Sequence, residues 1–478
     1  MKIKLKKFSE FAKDILPHEA SYLLRVNHFQ DEDNRKILER LAYNANHITE
    51  HVPYDTTIDK RKYSNLMRWI ENKFRDADVD YNFEWINEND RKVMADAITP
   101  EEEKELIKAV RNYKPHSYYF IKFYELLENF RHFLLIRLRL EEHKIISDFV
   151  DSYRSEYERC TAVSRKLHEA TLDIIEQYST NSRESRHWEN WLREVFYDDT
   201  LDGRNRYFAV VRLTFMYFNY REFDKLKAIY DDLDKMFDKG TFYSKRILLN
   251  YYANRVLLHS KFDVLQQAED YGYLSIKQKN ADYLHYLNNF CAILLRQGKV
   301  DEALSLMRES FSEMRNSSNF HNKIGFVSFY IKCLVENGQP KEAEQYAKSF
   351  LISFKEEVLS QRWHIFFVAY LRSLIQQEKY EELLRVANRY QLPQRDEEYQ
   401  SRPIYIPVVH WYILVAQFIE NKIDERKLID RLVTSITPHT GNDHKMRLID
   451  KLTDELKPIA PSIFEKIKSN PALQYSTN

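Results

Sequence analysis

One local pattern returns six times between about Arg204 and Thr437, at a spacing of about 40 residues, and it restricts the fold more than any other feature. Each copy is an apolar helical run, a tight break, an aromatic or aliphatic anchor, and a second helical run. The breaks and anchors read Tyr220-Arg-Glu-Phe223, Ser260-Lys-Phe262, Gly298-Lys-Val300, Gly338-Gln-Pro340, Glu378-Lys-Tyr380 and Asn421-Lys-Ile423. A fixed period of paired helices predicts an all-α fold, an α-solenoid in which each pair buries its apolar face only against its neighbours. Such a stack offers a long grooved surface, so binding is the first functional expectation.

Length and charge agree with that class. The 478 residues exceed what one compact core holds and suit an elongated array with an added N-terminal portion. Apolar residues at 44% and charged residues at 31% exclude wholesale disorder. Lys plus Arg and Asp plus Glu both number 73, so no net field draws in nucleic acid or an anionic membrane. The longest uncharged run, Pro403 to Ile419, contains two prolines, His410 and Gln417 and is flanked by charge. It reads as a buried helix, not a bilayer span. The basic start, Met1 to Phe8, runs into Ser9-Glu10 and Asp14 without an apolar core segment, and does not read as a secretory signal. Cys160, Cys291 and Cys333 are odd in number and far apart, which argues for a reducing compartment, the cytoplasm, and against a disulfide framework.

Glycine is scarce: seven in all, none before Gly203, and no Gly-x-Gly pair. A dinucleotide fingerprint or a Walker loop needs glycines where backbone approaches phosphate, and neither can be written on this chain. No cofactor is expected.

The N-terminal half reads as helical but cannot be phased into repeats. Two or three short helices are predicted before about residue 56, with Phe8, Phe11 and Ile15 on one face and Ile37, Leu38 and Leu41 on another. A helix follows from Ile58 to Phe74, then a polar turn from Asp76 to Asp80. Thr99-Pro100-Glu101-Glu102-Glu103 predicts a helix start: a capping hydroxyl, a proline in the first turn, and carboxylates at the positive end of the dipole. That helix should stop near Tyr113. Two long helices are predicted next, Ser117 to Leu140 and Glu142 to Tyr178, the first with Phe120, Phe123, Leu127, Phe130, Leu134 and Leu138 on its apolar face. Thr180-Asn181-Ser182 reads as a loop before a helix beginning at Trp188, Trp191 and Leu192. The expected organisation is residues 1–185 as a helical N-terminal region, capping or separate, residues 186–437 as repeats, and residues 438–478 as a capping helix and tail.

The clearest copies are Cys291-Ala-Ile-Leu-Leu-Arg-Gln-Gly298-Lys-Val300-Asp-Glu-Ala303 and Ile331-Lys-Cys-Leu-Val-Glu-Asn-Gly338-Gln-Pro340-Lys-Glu-Ala343. This resembles the tetratricopeptide repeat, with its turn glycine, an anchor two residues on, and a small alanine five residues after the glycine. Glycine closes the turn, and alanine lets the second helix sit close against the first. The other copies put Arg221, Ser260, Glu378 or Asn421 at the turn and Leu226, Leu265, Leu383 or Arg426 at the small position. The resemblance covers roughly half the chain and implies a right-handed solenoid whose first helices line a concave groove. Counting back from each turn, the groove positions are Ile247, Asn250 and Asn254; His285, Asn288 and Ala292; Ser328 and Lys332; and Val368 and Arg372. Asn can pair with peptide amides, and Lys332 and Arg372 can hold an anionic group. The family's carboxylate clamp is incomplete here, so a C-terminal tail is not the expected ligand. In Cys291 the thiol stands at a small-residue position of the first helix.

Three patterns were weighed for chemistry. His47-Ile-Thr-Glu50-His51 matches the inverted zincin spacing, but Val52-Pro53 ends any helix through both histidines. Arg111-Asn112-Tyr-Lys-Pro-His116 resembles the motif of HEPN-type ribonucleases, yet Pro115 breaks the helix that should present it, and Arg315, Asn316 and His321 give a second hit. Trp188 and Trp191 with Arg183, Arg186, His187 and Arg193 form a basic aromatic cluster, which Glu184, Glu189 and Glu194 nearly cancel. The expected function is therefore non-catalytic binding of a protein or peptide, as a scaffold or adaptor, without nucleic acid or membrane partners. The alternatives are a ligand- or peptide-sensing regulator whose N-terminal region carries the output, and a helical ribonuclease using Arg111 and His116.

Overall fold

The computed structural model describes residues 5–48, 50–180, 184–402 and 405–469. Among the described residues every regular element is a helix, and there is no strand. The chain divides into two compact units, residues 1–264 with 273–277 and residues 265–272 with 278–478.

The first unit begins with helices Lys6–Lys13, Pro17–Val26, Glu32–Asn46 and Lys60–Ala77. They share a core of Phe8, Ile15, Leu23, Leu38, Leu41, Tyr63, Leu66 and Ile70, so the apolar faces read from the sequence are the buried ones. The polar turn expected from Asp76 to Asp80 shrinks to one residue. Asp78 accepts hydrogen bonds from the amides of Asp80 and Tyr81 and starts the helix Val79–Met94 directly. Thr99 caps Pro100–Arg111 as expected, with the Glu102 amide donating to its hydroxyl and the Glu102 side chain returning to the Thr99 amide.

The predicted pair of long helices is three helices: Phe120–Ile136, Leu140–Ser152 and Arg154–Thr180. Phe120, Phe123, Leu127, Phe130 and Leu134 are buried, but Leu138 is 79% exposed. It sits in a left-handed conformation at φ 56°, and the Arg139 amide donates to the Leu134 carbonyl at 3.0 Å. Two ion pairs brace this break, Arg137 with Asp96 at 2.9 Å and Arg139 with Glu103 at 2.9 Å. Asp96 is itself a left-handed break at φ 53°. The helices Glu189–Tyr197 and Arg154–Thr180 pack on Gly203–Tyr220, which pairs with Phe223–Phe237. The loop expected at 180–182 falls largely outside the described residues.

Five of the six breaks read between residues 204 and 437 share one backbone geometry. Arg221, Gly298, Gly338, Glu378 and Asn421 all have positive φ, from 56° to 75°. The amide after each reaches back five residues: Glu222 to the Tyr217 carbonyl, Lys299 to Leu294, Gln339 to Leu334, Lys379 to Leu374 and Lys422 to Gln417. This bond satisfies carbonyls that a helix end leaves open, and it requires the left-handed residue before it. The second copy differs from expectation. Ser260 stays within the helix Lys245–Lys261, Asp263 takes φ 60°, and the Val264 amide donates to the His259 carbonyl. The break lies three residues later than read, and the anchor is Leu265, not Phe262. In the last copy the second helix starts at Glu425, capped by Asp424, two residues past Ile423.

The second unit contains four helix pairs: Tyr283–Arg296 with Val300–Glu309, Phe320–Glu336 with Pro340–Ser353, Trp363–Ile375 with Tyr380–Arg389, and Val408–Ile419 with Glu425–Ile436. In each pair the first helix touches its own second helix and the first helix of the next pair. Each second helix also touches the following first helix. Ala303 and Ala343 are fully buried where the second helix meets the first, and Cys291 packs within reach of the Ala303 carbonyl. Helices Asp443–Leu456 and Pro461–Lys468 complete the unit. Among the described residues no helix is long and apolar enough to cross a membrane.

Candidate functional site

Within the second unit, helices Phe320–Glu336, Trp363–Ile375, Leu392–Tyr399, Val408–Ile419 and Asp443–Leu456 line a half-open cavity of about 450 Å³. Four of them contribute apolar side chains: Phe329; Ile365 and Val368, about a turn apart; Val409; and Leu448 and Leu452, again about a turn apart. Four residues counted from the turns line it: Val368, already named, with Ser328, Lys332 and Arg372.

The polar groups of the wall are mostly matched. The Arg372 guanidinium donates to Glu336 at 2.7 Å, and its Nε lies 3.1 Å from a Glu455 carboxylate oxygen. Burial alone would lower Arg372; the charges of Glu455 and Glu336 outweigh it and hold the group above its ordinary value. Tyr412 donates its hydroxyl to the same Glu455 oxygen at 2.6 Å. Ser328 donates to the Ile324 carbonyl. The His364 imidazole and the Tyr399 hydroxyl are 2.9 Å apart, and burial, with Arg362 nearby, lowers that histidine to about 4, so it is neutral at physiological pH. Asp396 is buried and accepts a hydrogen bond from Tyr405 at 2.7 Å; burial pushes its carboxyl up to about 6. Lys332 is half-buried and lowered by desolvation and then by the neighbouring charge of Arg372.

The remaining groove candidates lie elsewhere. Asn250 and Asn254 belong to the first unit, where the Asn254 amide donates to the Asn250 side-chain oxygen at 3.2 Å. Their positions were counted from Ser260, and with the turn at Asp263 the count shifts by three; Ile247, counted with them, is fully buried core. His285 and Asn288 are in the second unit but do not line the cavity, and His285 faces Asn289 at 3.3 Å.

Among the described residues the first two sequence patterns are not gathered into sites, and Arg183 of the third lies outside those residues. His47 follows the end of Glu32–Asn46 and stacks on Tyr43, with ring centroids 4.0 Å apart. His51 is lowered by burial and by the cations Lys277 and Lys13, an environment that repels a metal ion, and no metal-holding cluster exists among the described residues. Arg111 ends its helix and lines a cleft of about 400 Å³ with Lys104, Lys108 and Glu141. His116 is absent from that cleft; it sits in a left-handed conformation with Nδ1 3.4 Å from Glu156. Trp188 donates to Asp173 and Arg186 to Glu222, so the aromatic cluster is engaged by the protein itself.

No protein-family model, curated protein or solved structure matches the chain. The cavity therefore stands on its own geometry. Counting from the turns missed the opposite wall, Tyr412, Leu448, Leu452 and Glu455. The same count carried one turn further back gives Ile365 and, from Asn421, Val408, both in the lining. Helix Asp443–Leu456 follows the last turn of this kind, so no count reaches it.

Proposed function

We propose that this chain is a non-catalytic binding protein, built as a stack of tetratricopeptide-like helix pairs, which receives a protein or peptide segment at the cavity of its second unit. The stack is supported by the neighbour-to-neighbour contacts of the four pairs and by the common left-handed turn. The observation that carries the binding role is that Ser328, Lys332, Val368 and Arg372, groove positions that the repeat resemblance implies, line one apolar-walled cavity. Panning a random peptide library against the full chain tests it. Enriched peptides should bind the wild type and lose binding to Lys332→Glu and Val368→Trp variants that melt as the wild type does. Failure to enrich any peptide, or indifference to both substitutions, contradicts the proposal.

A second reading, a ligand-sensing regulator, is favoured by Glu455. On a helix that forms part of the cavity wall, this carboxylate forms an ion pair with Arg372 and accepts a hydrogen bond from Tyr412, so an occupant changes what holds that helix. Faster hydrogen exchange in residues 443–456 on ligand binding would support it; unchanged exchange there would contradict it.

A further inference from the structure

The cavity is chemically lopsided. Arg372 is matched by Glu336 and Glu455, Tyr412 by Glu455, His364 by Tyr399, Asp396 by Tyr405, and Ser328 by a backbone carbonyl. Among the described residues, the ammonium groups of Lys332 and Lys451 are the cations of the lining without a hydrogen-bond or ion-pair partner. Lys332 matters more, because it is half-buried while Lys451 is exposed. An ammonium partly withdrawn from water with no counter-charge in contact is unfavourable, and Arg372 adds repulsion of like sign. The two nearest acids, Glu336 and Glu455, are already bonded to Arg372. The surrounding walls are aliphatic and aromatic: Phe329, Ile365, Val368, Val409, Leu448 and Leu452.

Resting on the reading of this cavity as a binding site, we infer that it takes a small organic acid, with a free carboxylate against Lys332 and an apolar body against Val368, Val409 and Leu448. The carboxylate supplies the counter-charge that the protein lacks there, as a charge-assisted hydrogen bond in a place where water competes weakly. The apolar body covers the surface that the four helices leave open. A cavity of about 450 Å³ has the size of a small-molecule site. Lys451, on that helix, faces the same space and draws the anion inward.

Calorimetric titration of the full chain with decanoate and 2-naphthylacetate, beside the neutral decanol and 2-naphthylethanol, tests this. The variants are Lys332→Met, which keeps the shape of the side chain and removes its charge, and Val368→Trp, which fills the cavity; melting temperatures establish that both fold. At least one acid should bind about tenfold or more tighter than its alcohol, Lys332→Met should abolish that preference while leaving the alcohol unchanged, and Val368→Trp should weaken both. Equal binding of acid and alcohol, or a preference that survives Lys332→Met, overturns the assignment of an acid. Sensitivity to Val368→Trp in that case leaves the cavity as a binding site of another chemistry. Absence of binding by all four compounds, or binding indifferent to Val368→Trp, overturns the acid. Peptides from the library that still depend on Val368 would then show that the broader reading survives.

Discussion

Arg372 and Glu455 meet at 3.1 Å in the cavity wall, joining the helix Trp363–Ile375 to the helix Asp443–Leu456. Both side chains are largely shielded, at 18% and 25% exposure, and Tyr412 and Glu336 bond to the same pair. Breaking such a network costs more than breaking an exposed ion pair, because the charge left behind is partly desolvated.

Removing either charge leaves the other facing low-dielectric surroundings. Arg372→Met and Glu455→Gln should each lower stability by about 1–3 kcal/mol, and the double variant should lose less than the sum, with a coupling of about 1 kcal/mol. Urea unfolding of the four proteins measures the cycle.

The turns predict opposite outcomes for two substitutions. Gly298 has φ 75°, and a Cβ added there meets nothing within 4 Å, so Gly298→Ala should cost about 1 kcal/mol from backbone conformation alone. Leu138 has φ 56° and an exposed side chain, so Leu138→Gly should stabilise by about 0.5–1 kcal/mol. Thermal melting of both variants checks the pair, and a destabilised Leu138→Gly would mean that this break is a packed element.

Asp396 carries a pH dependence. Burial raises its carboxyl from 3.8 to about 6, so between these values the folded chain holds a proton that the unfolded chain has released. Its contribution to stability is complete below about pH 4 and is lost as pH rises through about 6. Asp396→Asn should therefore flatten the stability profile between pH 4 and 6 and raise stability at pH 7, by about 1–3 kcal/mol. Urea midpoints for both proteins at pH 4.5 and 7 give the comparison.

What could be read from the sequence, and what could not, follows from how each turn is encoded. Gly298 and Gly338 announce their breaks because glycine is the residue that enters the left-handed region freely, and the period then places Arg221, Glu378 and Asn421. Asp263 escaped because an aromatic, Phe262, stands at the position the period assigns to the anchor, which put the break at Ser260. Leu138 escaped because leucine is among the last residues expected at positive φ, and it continues the apolar spacing of Phe130 and Leu134. At the cavity, Lys332 and Arg372 were legible because their helices end in countable turns. Glu455 and Leu448 were not, since only the folding of a later helix brings them against the others.

Hydrogen–deuterium exchange of the full chain, with and without the tightest peptide or acid found in the binding screens, tests the central claim most directly. The account predicts altered exchange concentrated in residues 328–332, 364–372, 396–399, 406–412 and 448–455, the segments that line the cavity. Changes confined to other segments, such as the cleft lined by Lys104, Lys108 and Arg111, would contradict it.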